Sequence, residues 1–255
     1  MPAGEYEASA RMTPCRLARG RVAGRMGPDE IVSRLLYRDA LLLVLDKPAG
    51  LPVHPGRGGG RTLADSLDAL RFGLPRRPEV AHRLDRDTAG CLVLGRHRQA
   101  LARLAKLFAG RDVEKVYWAV VEGSPAEDVG AITLPLAPVK DAGRTEMQVA
   151  AGGQPALTEW RVLGRNGRRA WLELRPVTGR THQLRAHCAA QGWPILGDAL
   201  YGRRGPGLHL LARSVTVPLY PKKPPVRVEA PVPPHMRDAI EALRPPSPEA
   251  RAESA

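Results

Sequence analysis

The sequence predicts an α+β fold, a mixed and largely antiparallel sheet with helices packed against it. Segments of strand character outnumber helical ones, hairpin signals recur, and no βαβαβ rhythm repeats. No internal repeat recurs at a fixed period. A chain of 255 residues can bury one good core, or at most two small ones. The expected organisation is a basic, disordered arm over 1–30, a single folded domain over 38–243, and a solvated tail over 244–255.

The elements follow in order. Residues 40–45 form a continuous apolar run, read as a buried strand that ends in the turn chemistry of Asp46-Lys47-Pro48-Ala49-Gly50. A glycine-rich loop at 56–60 precedes Thr62-Leu63-Ala64-Asp65, a capping-box-like start that puts Leu63, Leu67 and Leu70 on one helical face. A second apolar run, Cys91-Leu92-Val93-Leu94, leads to a helix over 98–108 with Leu101, Leu104 and Phe108 as its stripe and Gly110 as its stop. Residues 113–121 read as a strand. The clearest hairpin joins 157–163 to 169–175 through Asn166-Gly167. In its second arm Ala170, Leu172 and Leu174 alternate with Trp171, Glu173 and Arg175. A helix over 181–191 ends at Gly192 and Pro194. Strands at 208–217 and 226–230 and a helix over 234–243 complete the pattern.

Composition narrows the partners. Lys and Arg number 39 against 26 Asp and Glu, a formal net charge of +13. A surplus of this size suits a polyanion better than an acidic metabolite. A genome that writes Arg often produces the same surplus, so charge alone does not decide. No run of about 18 apolar residues exists to cross a membrane. The N-terminal stretch has Glu5 and Glu7 and no apolar core, unlike a secretory signal. Cys15, Cys91 and Cys188 are odd in number and far apart, which suits a reducing cytoplasm.

The segment His82-Arg83-Leu84-Asp85-Arg86-Asp87-Thr88-Ala89-Gly90 carries the chemistry. Arginines on both sides of Asp85 keep a carboxylate ionised and also attract a phosphate backbone. A carboxylate repels RNA unless the chemistry needs it there, so the conflict points to an enzyme acting on nucleic acid. Two other segments share its character of polar residues set among Gly, Pro and apolar neighbours. One is Leu45-Asp46-Lys47-Pro48-Ala49-Gly50-Leu51-Pro52-Val53-His54-Pro55-Gly56. The other is Gly179-Arg180-Thr181-His182-Gln183-Leu184-Arg185-Ala186-His187, followed by Pro194-Ile195-Leu196-Gly197-Asp198 and Tyr201-Gly202. The loop at 56–60 lacks the Lys-[Ser/Thr] ending of a phosphate-binding P-loop. No HExxH occurs, and His182 and His187 are spaced poorly for helix-borne ligands.

With these motifs the sequence resembles the RluA-type pseudouridine synthases. His82 to Gly90 is similar to that family's histidine-arginine-leucine-aspartate signature, with Ala89 where serine is usual. Lys115-Val116-Tyr117-Trp118-Ala119-Val120-Val121-Glu122-Gly123 is similar to the strand that carries its tyrosine. The resemblance runs from about 41 to 234 and implies isomerisation of uridine in RNA. The N1–C1′ bond breaks, the base turns and C5 joins C1′. This redox-neutral reaction implies no cofactor and no metal.

The resemblance implies Asp85 as the catalytic carboxylate, either nucleophile at C1′ or base at C2′. It implies Arg185 as its ion-pair partner and Tyr117 beside the flipped uracil, where it helps remove the C5 proton. Arg83 would hold the nucleotide out of the stack or grip phosphate, while His82 and Thr88 shape the substrate loop. Arg180 and Gln183 complete the substrate-binding set. His54, His97, His209 and His235 are read as bland. About 38 residues precede the first strand, too few for the S4-type module that some members carry. With aromatics at 4%, shape recognition of a structured tRNA or rRNA stem-loop is expected over stacking of a long single strand. The expected protein is a cytoplasmic monomer without a membrane or protein partner. Two alternatives are a magnesium-dependent nuclease using Asp85 and Asp87, with Asp46 and Asp198 recruited, and a catalytically silent RNA-binding or ribosome-assembly factor on the same fold.

Overall fold

A computed structural model describes residues 26–55, 60–141 and 144–245. The first 25 residues of the basic arm, most of the glycine-rich loop and the tail from 246 lie outside the described residues. The chain builds helix α1 (Pro28–Ser33), strands β1 (Leu35–Arg38) and β2 (Leu42–Lys47), and a 3₁₀ helix (Leu63–Leu70). Next come β3 (Glu79–Val80), β4 (Ala89–Gly95), α2 (Arg98–Gly110), β5 (Glu114–Glu122) and β6 (Val129–Ile132). A separate hairpin, β7 (Leu136–Asp141) and β8 (Arg144–Val149), precedes β9 (Thr158–Arg165) and β10 (Arg169–Pro176). Helix α3 (Gln183–Ala190), β11 (Leu210–Val217), β12 (Val226–Glu229) and α4 (Pro234–Glu241) close the order.

The main sheet runs β1-β2-β4-β11-β5-β10-β9-β6, with β12 beside β11 and β3 beside β4. Its pairings are antiparallel except β4 with β11. The α+β expectation therefore holds. Strands β2 and β4 are covered on both faces, which explains why they read as unbroken apolar runs rather than as alternation. On one face Leu42, Val44, Val93 and Val120 meet Leu104 of α2 and Met236 and Ile240 of α4. The other face holds two clusters side by side. Leu43, Leu45, Leu92 and Leu94 pack under the 3₁₀ helix, and Ala119, Ala170, Leu172 and Leu174 pack under Leu184 and Cys188 of α3. Tyr117 packs against both.

Several expectations shift. The 3₁₀ helix replaces an α-helix at the predicted capping box, where the Thr62 amide donates to Asp65 Oδ2 at 2.8 Å. Its leucines face the core as the spacing required. Helix α2 runs through Gly110 and stops at Arg111, which takes the left-handed conformation (φ 65°). Folded chain begins before residue 38, and part of the segment assigned to a disordered arm is ordered. Met26 and Ile31 are buried with Leu63, Leu67 and Leu70, and the Ser66 hydroxyl donates to Met26 O at 3.0 Å. An apolar layer beneath the 3₁₀ helix needs that cover. Strands β1, β3 and β6 and the β7–β8 hairpin lacked a clear signal, being short or polar.

The register across three strands positions the site. Gly90 pairs with Ala212, and Ala212 pairs with Tyr117, so the end of the Asp85 loop and Tyr117 stand at one level of the sheet. Gly90 sits at φ 106°, and a Cβ there would run into the Ala212 carbonyl oxygen. Gly90→Ala is accordingly expected to destabilise the protein by at least about 2 kcal/mol through backbone strain and steric overlap. Urea unfolding monitored by far-UV circular dichroism measures this, and an unchanged midpoint would contradict it.

Candidate active site

Asp85 lies in the turn that enters β4, held from three directions. Its own carbonyl accepts from the Thr88 amide at 3.2 Å. The neighbouring Arg86 carbonyl accepts from the Gly50 amide and from Lys47 Nζ, both at 2.9 Å. Lys47 is fully buried and also donates to the carbonyls of Pro48 and Leu51, each at 2.9 Å. Burial pushes its pKa down to about 7, against the pull of Asp87 and Asp85. The first motif thus clamps the second. Sequence reading identified both segments but assigned Lys47 no role, because a lysine ending an apolar run usually reaches solvent.

Helix α3 supplies the opposite wall. Gln183, expected to bind substrate, instead holds the turn into the helix. Its carboxamide oxygen accepts from the Thr178 hydroxyl (2.7 Å) and the Arg180 amide (3.0 Å). Its nitrogen donates to Leu157 O and Thr158 Oγ1, both at 2.9 Å. With four internal bonds and 3% exposure, the side chain has nothing left for a ligand. Arg180 is half-buried at the rim, its Nε donating to Pro155 O at 3.2 Å.

Arg185 faces Asp85 as expected but has a closer partner that the sequence reading did not assign to it. Its Nε and Nη2 grip Asp198, both at 2.7 Å, and only Nη1 faces Asp85 Oδ2, at 3.8 Å. Asp198 is fully buried, and it also accepts from the amides of Leu200 (2.9 Å) and Tyr201 (3.1 Å). Burial opposes its charge, yet the Arg185 bonds and those amides hold its carboxyl below the usual range. The two-toothed fork fits the guanidinium better than the more exposed Asp85. Asp198 stood in the quoted motif, and only the fold pairs it with Arg185.

His82 and Thr88 form walls. His82 Nε2 accepts from the Val93 amide at 3.0 Å, and its ring stacks on Phe108 with centroids 4.5 Å apart. Burial pushes its pKa down to about 4, so the ring is neutral at pH 7. Thr88 is buried in the turn. Tyr117 faces the cavity while Trp118 and Val120 turn to the opposite core, as alternation required. Burial, then the nearby Asp85 charge, raises its phenol well above the ordinary value.

These groups enclose a cavity of about 460 Å³ lined by Arg83, Asp85, Lys115, Tyr117, Arg180 and Arg185. A second of about 890 Å³, lined by His54, Arg86 and Arg204, meets it at Arg83, Asp85, His182 and Arg185. Asp85 therefore stands at a junction of two open spaces rimmed by cations. The first has the size of pockets that enclose a small ligand group.

A basic cleft that encloses a carboxylate and an aromatic wall, built on this mixed sheet, has the architecture of an RNA-modifying enzyme. Comparison with known proteins specifies it further. Residues 41–190 match the family model for RNA pseudouridylate synthases. An uncharacterized RNA pseudouridine synthase of Zymomonas mobilis is 41% identical over 210 residues, covering 80% of this chain and 95% of the relative. Ribosomal large subunit pseudouridine synthase D of Xanthomonas campestris is 37% identical, covering 85% of this chain and 71% of the relative. The structure of human RNA pseudouridylate synthase domain containing 4 superposes with a TM-score of 0.72 at 26% identity, covering 85% and 95% of the two chains. The chain belongs to the RNA pseudouridylate synthase family, and it is an isomerase acting on RNA. Among the described residues no helix is long and apolar enough to cross a membrane.

The Arg185–Asp198 pair makes a pH prediction. Asp198→Asn should cost about 3–5 kcal/mol, since it leaves a buried guanidinium without its counter-charge. Because the folded carboxyl titrates below its unfolded value of about 3.9, the pair's contribution is fully present above that value. It is lost as pH falls through the folded value. Urea midpoints of wild type and variant should differ at pH 7 and converge in acid. A gap that persisted would show that packing, and not charge, accounts for the loss.

Proposed function

We propose that this protein converts specific uridines to pseudouridine in structured RNA, a tRNA or rRNA stem-loop, with Asp85 acting on the ribose of a nucleotide turned out of the helix. The position of Asp85, at the junction of two cavities and facing Arg185, carries the reading. A base inside a duplex could not reach this carboxylate, so extrusion into the first cavity is part of the proposal. Asp85 either bonds to C1′ as uracil leaves through N1 or takes the C2′ proton. In the first route C5 then displaces the carboxylate as it joins C1′. In the second, uracil leaves through N1 as the C2′ proton is taken, and C2′ regains that proton as C5 joins C1′. In both, C5 loses its proton and N1 gains one.

Around that step the other side chains take defined parts. Arg185 holds a positive charge against Asp85 while anchored to Asp198, so the carboxylate stays ionised and aimed. Tyr117 stacks beside the uracil as a neutral phenol, because its raised pKa leaves almost no phenolate at neutral pH. That favours packing and hydrogen-bond donation over the proton abstraction expected from sequence. Arg83, exposed and shared by both cavities, fills space vacated by the base or grips its phosphate. Arg180 contacts phosphate at the rim. Thr88 and His82 keep the Asp85 loop in place, and Gln183 is left out of the substrate set. The protein works as a monomer in the cytoplasm under this reading; cell fractionation tests the address, since similar proteins of Xenopus tropicalis and Arabidopsis thaliana carry mitochondrial in their names.

Asp85→Asn is expected to abolish tritium release from C5-labelled uridine RNA while folding and RNA affinity stay near wild type. Turnover close to wild type would move the chemistry to another residue. Pseudouridine mapping in total RNA with and without the gene identifies the target, and an unchanged map would favour the silent RNA-binding alternative.

RNA affinity is expected to rest on phosphate contacts, with log affinity falling linearly against log salt by about 0.9 per phosphate neutralised. Removing residues 1–25 deletes Arg11, Arg16, Arg19, Arg21 and Arg25. The truncated protein should bind more weakly with a shallower salt slope and modify the same uridine. Identical slopes would show that these arginines make no phosphate contacts.

A further inference from the structure

The turn into α3 contains a side chain that the catalytic reading leaves unused. His182 adopts the left-handed conformation (φ 50°, ψ 16°) at the N-cap of α3. A histidine pays a steric cost there, and such strain is kept where the surroundings demand it. In this conformation its ring spans two partners. Nε2 lies 3.8 Å from Asp85 Oδ2, and Nδ1 lies 3.1 Å from the Tyr201 hydroxyl. Both rings are partly enclosed, and they meet edge to face with centroids 5.8 Å apart.

The neighbouring hydrogen bonds favour one tautomer. The Tyr201 oxygen accepts from the Met147 amide of β8 at 2.9 Å. Among the described residues, the hydroxyl proton has one acceptor within reach, His182 Nδ1. An imidazole that accepts at Nδ1 carries its proton on Nε2. That N–H faces Asp85 Oδ2, the same oxygen that faces Arg185 Nη1. The other charged groups around the ring are Asp198 and Arg83.

We propose that His182 is a positioning residue for Asp85, held as the Nε2–H tautomer by the Tyr201 hydroxyl so that it donates to Oδ2 and leaves Oδ1 turned toward the ribose. The inference rests on Asp85 being the catalytic carboxylate. The 3.8 Å separation is longer than a hydrogen bond. It closes when the nucleotide fills the cavity and excludes water, as catalytic contacts in unliganded enzymes commonly tighten on binding. Arg185 supplies charge to that oxygen, and His182 supplies direction. Burial holds its pKa below the ordinary value, so the neutral donor form persists at pH 7.

Two measurements test this on the full chain. Nitrogen-15 NMR of the histidine ring is expected to show Nε2 protonated and Nδ1 as acceptor in wild type. In Tyr201→Phe that preference should be lost. A proton on Nδ1 in wild type would overturn the proposal whatever the enzyme's activity.

Single-turnover kinetics give the second. His182→Phe should slow isomerisation about 10- to 100-fold, the range for losing one hydrogen bond to a charged group, with RNA affinity unchanged. His182→Gln, which returns an amide donor near the ε position, should recover most of the rate. Tyr201→Phe should slow wild type but add nothing in the His182→Phe background, because the two act through one bond. An unaltered rate in His182→Phe, a loss confined to affinity, or additive losses would each overturn the inference. Wild type that forms no pseudouridine would overturn the proposed function itself, and the NMR result would still stand.

Discussion

The fork between Arg185 and the buried carboxylate of Asp198 ties helix α3 to the turn before Tyr201. On its own the pair is a weak source of stability, since stripping water from two charges roughly offsets their attraction. Its value is geometric. Two parallel hydrogen bonds leave the guanidinium one orientation, which fixes the direction of the remaining Nη1 toward Asp85. The same carboxylate takes the amides of Leu200 and Tyr201, so one buried charge sets the placement of a cation, a hydroxyl and a turn together.

The Asp85 side of the cleft is built by a different logic. There the sheet register does the positioning. Gly90 lets β4 come close to β11, and β11 brings β5 and Tyr117 alongside at the same level. Lys47 then fastens the preceding turn through three carbonyls, a cation satisfied by dipoles instead of a carboxylate. With the lysine bonded to carbonyls, Asp85 is left facing groups of α3 and the turn before it. The cavity therefore lies at the seam between the two apolar clusters on one sheet face, where neither cluster fills the space.

Positive charge also surrounds this arrangement at its mouth. Arg83 and Arg86 are exposed at the mouth and Arg180 is half-buried beside them, where attraction for an anion is screened by salt. The inner charges are shielded and held by a carboxylate, whereas Arg86 and Arg180 each reach a single backbone carbonyl through Nε.

The sequence by itself determined the elements with strong local patterning. The runs of β2 and β4, the stripe of α2, the hairpin at Asn166-Gly167 and the motif around Asp85 follow from periodicity, turn chemistry and residue type within short windows. Weakly patterned elements escaped, among them β6 and the β7–β8 hairpin, whose half-exposed residues leave little apolar signal. The tertiary structure decided who pairs with whom. Gln183 became a brace because its amide met four partners from four other residues, and Arg185 chose Asp198 because burial and fork geometry favoured it over Asp85. His182 and Lys47 gained their contacts only once separate segments met. Local pattern reports which backbone a stretch prefers, whereas the partner of a buried polar group depends on groups distant in sequence.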